Sequence, residues 1–228
     1  MGADDERRRM VEEQLRARGI HDERVLAAMA ALPRERFIEP GLRGRAYADE
    51  AVPIEVGQTI SQPWIVARMT ELLAPRPGDR ILELGTGSGY QAAVLAALGA
   101  DVTSLERHPA LAAQARERIG SLDLPGTVTI RVVNGSLGDP EGAPYDGIIV
   151  TAAAPRIPSE LRDQLAENGR LVIPVGPRHH QVLTLVVRHG NDWTETPHGA
   201  VVFVPLIGQG GFPDDRPRFP EDRRRGLI

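Results

Sequence analysis

The chain has 228 residues, which suits one large domain with a full hydrophobic core. Its 27 basic and 31 acidic residues leave a net charge of −4, a balance that argues against a general nucleic-acid or membrane surface. The absence of cysteine excludes disulfides, thiolate metal sites and a cysteine nucleophile. The charged start, Met1 to Arg9, has no apolar stretch behind it and does not read as a signal peptide. No apolar run approaches the roughly 20 residues of a membrane span, so a cytoplasmic protein is expected.

Asp5 to Arg18 has helical spacing, with Met10, Val11 and Leu15 on one side. Asp22 is placed to cap a second helix, Glu23 to Leu32, that turns Val25, Leu26 and Met29 inward, and Pro33 ends it. Phe37 and Ile38 are expected anchors in the short segment Arg34 to Pro40. Tyr47 to Gln58 has little periodicity and is expected to wrap the core as a loop. Pro63 suits the first turn of a helix running to about Leu73, after which Pro75, Pro77 and Gly78 break the chain.

Strands and helices then alternate. Strands are expected at 81–84, 101–105, 128–133, 145–150, 171–175, 182–187 and 200–204, and helices at 91–98, 109–119 and 158–165. Gly169 is placed to end the last of those helices, and a polar hairpin is expected between the last two strands. Such alternation implies an α/β, doubly wound Rossmann-like fold: a mostly parallel seven-stranded sheet, helices on both faces and a C-terminal β-hairpin. Residues 1–208 are assigned to a single domain whose helical cap covers about 1–75. The Pro-, Gly- and Arg-rich residues 209–228 read as a tail with little structure of its own, and Arg223-Arg224-Arg225 as a solvated part of it.

One stretch narrows the chemistry. The apolar strand Ile81-Leu82-Glu83-Leu84 runs into Gly85-Thr86-Gly87-Ser88-Gly89, and a helix follows. A dinucleotide fingerprint, G-x-G-x-x-G, would put its third glycine at position 90, where the chain has Tyr90. A pyrophosphate would sit on the helix N-terminus. S-adenosylmethionine has no phosphate and needs only a close backbone approach to its methionine part, which glycine permits. Glu106 closes the next strand, where a carboxylate can accept both ribose hydroxyls. Gln58-Thr59-Ile60-Ser61-Gln62 supplies two hydroxyls and two amides beside this mouth, and Ser61 can act there, cap the helix begun by Pro63, or do both. Trp64 offers either a flat apolar wall or ordinary packing. The six histidines are scattered or adjacent in sequence, so no metal site is expected.

The E-x-G-x-G-x-G run with its distal acid resembles motif I and its follower in class I methyltransferases. Taken with Gly57 to Pro63, Ala143-Pro144-Tyr145-Asp146, Val150 to Pro155, Gly169 to Gly176 and Phe203-Val204-Pro205-Leu206, it resembles protein-L-isoaspartate O-methyltransferases (protein-β-aspartate methyltransferases) over about Met10 to Ile207. The resemblance implies methyl transfer from S-adenosylmethionine to the free α-carboxylate of L-isoaspartyl residues in damaged peptides and proteins, leaving S-adenosylhomocysteine. The ester then closes to a succinimide. D-aspartyl activity is left open.

By this resemblance Ser61 is the active-site residue, and Val56, Thr59 and Ile60 shape a substrate cleft with it. Glu83, Gly85, Thr86, Gly87, Ser88, Gly89, Glu106, Arg107, Asn134 and Gly135 are expected to hold the cofactor. The chain departs from the family at Val133-Asn134-Gly135, where Gly-Asp-Gly is usual; Asn134 keeps an acceptor oxygen but not the charge. The expected partners are isoaspartyl-containing peptides and proteins, with no nucleic acid and no membrane, for a monomer. The rivals are a relative that methylates a dedicated peptide or protein, and a cofactor-binding protein without turnover.

Overall fold

A computed structural model describes residues 2–214. The N-terminal region is built from short helical pieces. α1 (Ala3–Arg9) passes into a π-helical stretch, Met10–Leu15, then a 3-10 turn, Arg16–Arg18, and stops at Gly19 in the left-handed region. The one helix expected here changes pitch twice, and the widened stretch buries Met10, Val11 and Leu15 together. α2 (Glu23–Ala31) starts at Asp22, whose carboxylate accepts the Arg24 amide at 2.9 Å, and it buries Val25, Leu26 and Met29. Phe37 and Ile38 are buried as expected.

Tyr47 to Gln58 is not all loop. β1 (Val52–Pro53) pairs antiparallel with β2 (Thr59–Ile60), and Val56 and Gly57 turn between them with positive φ. Two-residue strands are too short for an alternating pattern to register in sequence. α3 (Pro63–Leu73) begins at the expected proline and ends at Ala74 in the left-handed region.

The large sheet contains β3 (Arg80–Leu84), β4 (Asp101–Glu106), β5 (Thr127–Val132), β6 (Tyr145–Val150), β7 (Leu165–Val175), β8 (Gln181–His189) and β9 (Asp192–Val201). Their order is β5-β4-β3-β6-β7-β8-β9; β3 to β7 run parallel and β8 and β9 close the sheet antiparallel. The helices between them are α4 (Tyr90–Ala97), α5 (Pro109–Gly120) and α6 (Ser159–Asp163). Alternation along each strand feeds two cores. Ile81, Val102, Ile149, Val172 and Leu183 pack with α2 to α5, while Leu82, Leu84, Leu105, Ile148, Val150 and Leu171 pack with Leu161 of α6 and with Leu206.

Three expectations are corrected. α6 ends at Asp163 because Gln164 is tied elsewhere: its side chain receives the Asp139 amide and donates to the Leu137 carbonyl, and Leu165 already pairs with Tyr145. Gly169 therefore lies inside β7, at an irregularity where Asn168 has φ +61°, rather than after a helix. The expected polar hairpin is itself β9, an exposed edge strand that turns back at Gly190 and ends at Val201, whereas Val202 to Leu206 crosses toward Ala153. Of the tail expected to have little structure of its own, the described part is anchored by a turn at Gly208–Gly211 and by the buried Phe212. Residues 215–228, which include the three consecutive arginines, lie outside the described residues.

Candidate active site

Strand order reverses at β3, whose neighbours β4 and β6 lead away in opposite directions, and the carboxyl ends of such strands open a crevice. A cleft of about 540 Å³ lies there, within the usual range of a small-molecule site. Its floor is Leu84, Gly85 and Thr86 after β3, Glu106 and Arg107 at the end of β4, Asn134 to Ser136 after β5, and Thr151 and Ala152 after β6.

The glycine turn earns its composition at Gly85 and Gly89. Gly85 has φ +97°, and a Cβ on it would lie 2.5 Å from the Thr151 hydroxyl, which donates to the Gly85 carbonyl at 2.6 Å. Gly89 has φ +90°, and a Cβ on it would lie 3.0 Å from both Ala115 and Ile119 of α5. Gly87 sits between them with its amide donating to Glu106 Oε2 at 2.9 Å, while the His108 amide donates to Oε1 at 2.9 Å. Two backbone donors thus fix the Glu106 carboxylate at the cleft floor, leaving each oxygen a further lone pair for a hydroxyl.

Of the residues singled out in sequence, Val56, Thr59, Ile60, Ser61, Gly85, Thr86, Gly87, Ser88, Glu106, Arg107, Asn134 and Gly135 all line this cleft. Glu83 and Gly89 do not. Gly89 is the capping residue just before α4 and faces α5. Glu83 is fully buried behind the floor, because alternation along β3 turns it to the opposite face from Leu82 and Leu84. Its Oε2 accepts the Ser104 hydroxyl, which lies 2.5 Å from the hydroxyl of Thr86. Burial pushes the Glu83 carboxyl up to about 8, with the charge of Glu106 adding to the rise against the Ser104 hydrogen bond, so Glu83 holds its proton at neutral pH.

The Ser61 question is resolved by the start of α3. Gln62 takes the capping position, with no side-chain cap, and Gln62 Nε2 donates instead to the Asp49 carbonyl at 3.2 Å. Ser61 is therefore not a cap; the half-buried residue lines the cleft. Val56 on the same wall adopts φ +59°, ψ +25°, a strained conformation for a β-branched residue, and is 49% exposed. Trp64 is packing: its ring lies under Arg18 at 5.0 Å and does not reach the cleft. Asn134 turns Oδ1 toward the Ser136 amide at 3.3 Å.

Sequence reasoning missed Thr151 and the far C-terminal wall. Val204 to Ile207, Arg178 and Asp214 also line the cleft; Arg107 Nη2 donates to Asp214 at 3.1 Å, and Arg178 Nη2 to the Pro213 carbonyl at 3.2 Å. Such contacts join residues more than thirty positions apart and leave no local pattern. Among the described residues no group of three or more His, Cys, Asp or Glu side chains could hold a metal.

The fold and its cleft define a Rossmann-like class I methyltransferase. The chain resembles a solved β-aspartate methyltransferase (PCMT) of Plasmodium falciparum in complex with S-adenosyl-L-homocysteine, at 29% identity and a TM-score of 0.74 over 88% of this chain and 98% of that one. Residues 5–211 match the profile of the protein-L-isoaspartate(D-aspartate) O-methyltransferase (PCMT) family, and the chain belongs to that family. Relatives include the protein-L-isoaspartate O-methyltransferases of Methanoregula boonei (54% identical, 91% of this chain and 95% of that protein) and Methanoculleus marisnigri (55%, 91% and 94%).

Proposed function

We infer that the protein methylates the free α-carboxylate of L-isoaspartyl residues in damaged peptides and proteins, opening their repair through a succinimide. Family membership over residues 5–211 is the observation that supports this most. S-adenosylmethionine, when bound, supplies an activated methyl group on a positively charged sulfur.

The residues present fit that group. A carboxylate whose two oxygens are each fixed by a backbone amide stands at the floor, ready for ribose hydroxyls. The glycine turn lets backbone approach closely, and the Gly85, Thr86, Gly87 and Gly89 amides already have acceptors within the protein, which leaves no row of them for a pyrophosphate. Gly85, Thr86, Gly87, Ser88, Glu106, Arg107, Asn134 and Gly135 are the proposed cofactor contacts. Glu83 and Gly89 support the turn from behind.

A carboxylate substrate is already ionised at pH 7, so the site needs no strong base. What the chain supplies is orientation and exclusion of water. Ser61 is the proposed contact to the substrate carboxylate or its neighbouring backbone, with Val56, Thr59 and Ile60 as the wall. The protein is further proposed to act as a cytoplasmic monomer without nucleic acid; among the described residues no helix is long and apolar enough to cross a membrane.

The test is a Ser61→Ala variant. Methyl transfer to an isoaspartyl peptide should fall about 10- to 100-fold, while affinity for S-adenosylhomocysteine stays within about twofold. An unchanged rate would remove Ser61 from the site.

A further inference from the structure

Arg34 is the largest fully buried side chain, and it has no carboxylate partner among the described residues. Burial lowers its guanidinium to about 10, which leaves it charged at neutral pH. An isolated buried cation is costly unless strong hydrogen bonds replace its water. Here Nε donates to the Ala46 carbonyl at 2.8 Å, Nη2 donates to the Ser61 carbonyl at 2.7 Å, and the guanidinium lies 4.8 Å from the centre of the Tyr90 ring. Nη1 and the Tyr90 hydroxyl are buried as well, and the nearness of Tyr90 favours the charged guanidinium. Tyr90 lines the cleft and opens α4 directly after the glycine turn, and Phe37 holds its ring edge-on at 5.2 Å.

One side chain therefore joins the Ser61 loop, the segment at Ala46 and the start of the cofactor helix. The loop needs such a tie. β2 is two residues long, and Ser61 lies just past its last pairing, Val52 with Ile60. We propose that Arg34 is a positioning residue for methyl transfer: by gripping the Ser61 carbonyl while stacking on Tyr90 it holds these two lining residues in fixed relation. The planar fork is essential, since a lysine ammonium is a single point that cannot grip two carbonyls along fixed directions while stacking on a ring. This inference rests on Ser61 contacting substrate.

The test is Arg34→Lys, which keeps charge and bulk. At a temperature where the variant is folded, kcat/KM for an isoaspartyl peptide should fall about 10- to 100-fold, while S-adenosylhomocysteine affinity stays within about twofold. A kcat/KM within twofold of the parent overturns the proposal. A merely structural arginine would also lose rate independently of Ser61, so the double variant with Ser61→Ala decides. Its loss should barely exceed that of Ser61→Ala alone; losses that multiply in full overturn the proposal. A normal Ser61→Ala protein overturns both readings, whereas an impaired one beside a normal Arg34→Lys protein overturns only this one. If Arg34→Lys does not fold, the Arg34 Nε–H resonance of the parent protein serves instead. It should exchange slowly with water and shift when isoaspartyl peptide joins the S-adenosylhomocysteine complex; a resonance unmoved by peptide overturns the proposal.

Discussion

At the scale of single residues, Glu83 gives the sharpest expectation. An unfolded glutamate titrates near 4.5, and in the folded protein burial raises the group to about 8. Between those values the folded chain holds a proton that the unfolded chain has released. The stabilisation is complete below the unfolded value and is lost as pH rises toward 8. Against a Glu83→Gln variant, the parent should lose up to about 1 kcal/mol of stability per pH unit from pH 5 to 8. Urea midpoints of both proteins at each pH check this; parallel profiles would contradict a buried, protonated Glu83. Asn134→Asp makes a second test. An aspartate there keeps the acceptor that Asn134 turns toward the Ser136 amide, so cofactor should bind at least as tightly, and weaker binding in a titration would count against its placement in the cleft. The sequence made most of the cleft legible because glycine spacing and the distal acid are local signals. It misplaced Glu83 because a motif gives position along a strand, while depth behind the floor depends on which face the strand turns to the core.

At the scale of elements, the turn from β3 into α4 is held by shape. Gly89 has a positive φ and faces two α5 side chains at 3.0 Å from where a Cβ would stand. Gly89→Ala should destabilise the protein by roughly 1–3 kcal/mol, from strain and from pushing α4 and α5 apart. A denaturant titration showing a change under about 0.5 kcal/mol would contradict the described packing. Elements with strong internal signals were legible: the proline that begins α3, the Asp22 cap of α2, and the apolar strands β3 to β6. Those decided by distant partners were not. β9 is an edge strand in which Trp193 is the one apolar residue from Asp192 to Thr196, so no alternation marks it. α6 is cut short by side-chain bonds of Gln164 to residues some twenty-five positions away. The chain after Gly208 gains order from the cleft rim, through Arg178 against Phe212 and Arg107 with Asp214.

Across the whole molecule, every one of the 27 basic residues is arginine. Many spend their guanidinium on backbone carbonyls rather than on acids. Arg80 donates to Pro144 and Gly142, Arg116 to Ile130, Arg170 to Leu72, Arg188 to Leu165, and Arg34 to Ala46 and Ser61. Arg116, Arg170 and Arg188 tie one helix or strand to another, while Arg80 and Arg34 hold loops, a use the forked geometry permits and an ammonium serves poorly. The resulting frame presents a cleft whose floor carries the fixed Glu106 carboxylate and whose wall carries Thr59 and Ser61, which suits transfer to a nucleophile that arrives already ionised. The most direct test of that account compares methyl transfer from labelled S-adenosylmethionine to two peptides that differ only in L-isoaspartyl against L-aspartyl at one position. Label on the isoaspartyl peptide alone is the predicted result; label on both, or on neither with cofactor binding intact, would contradict it.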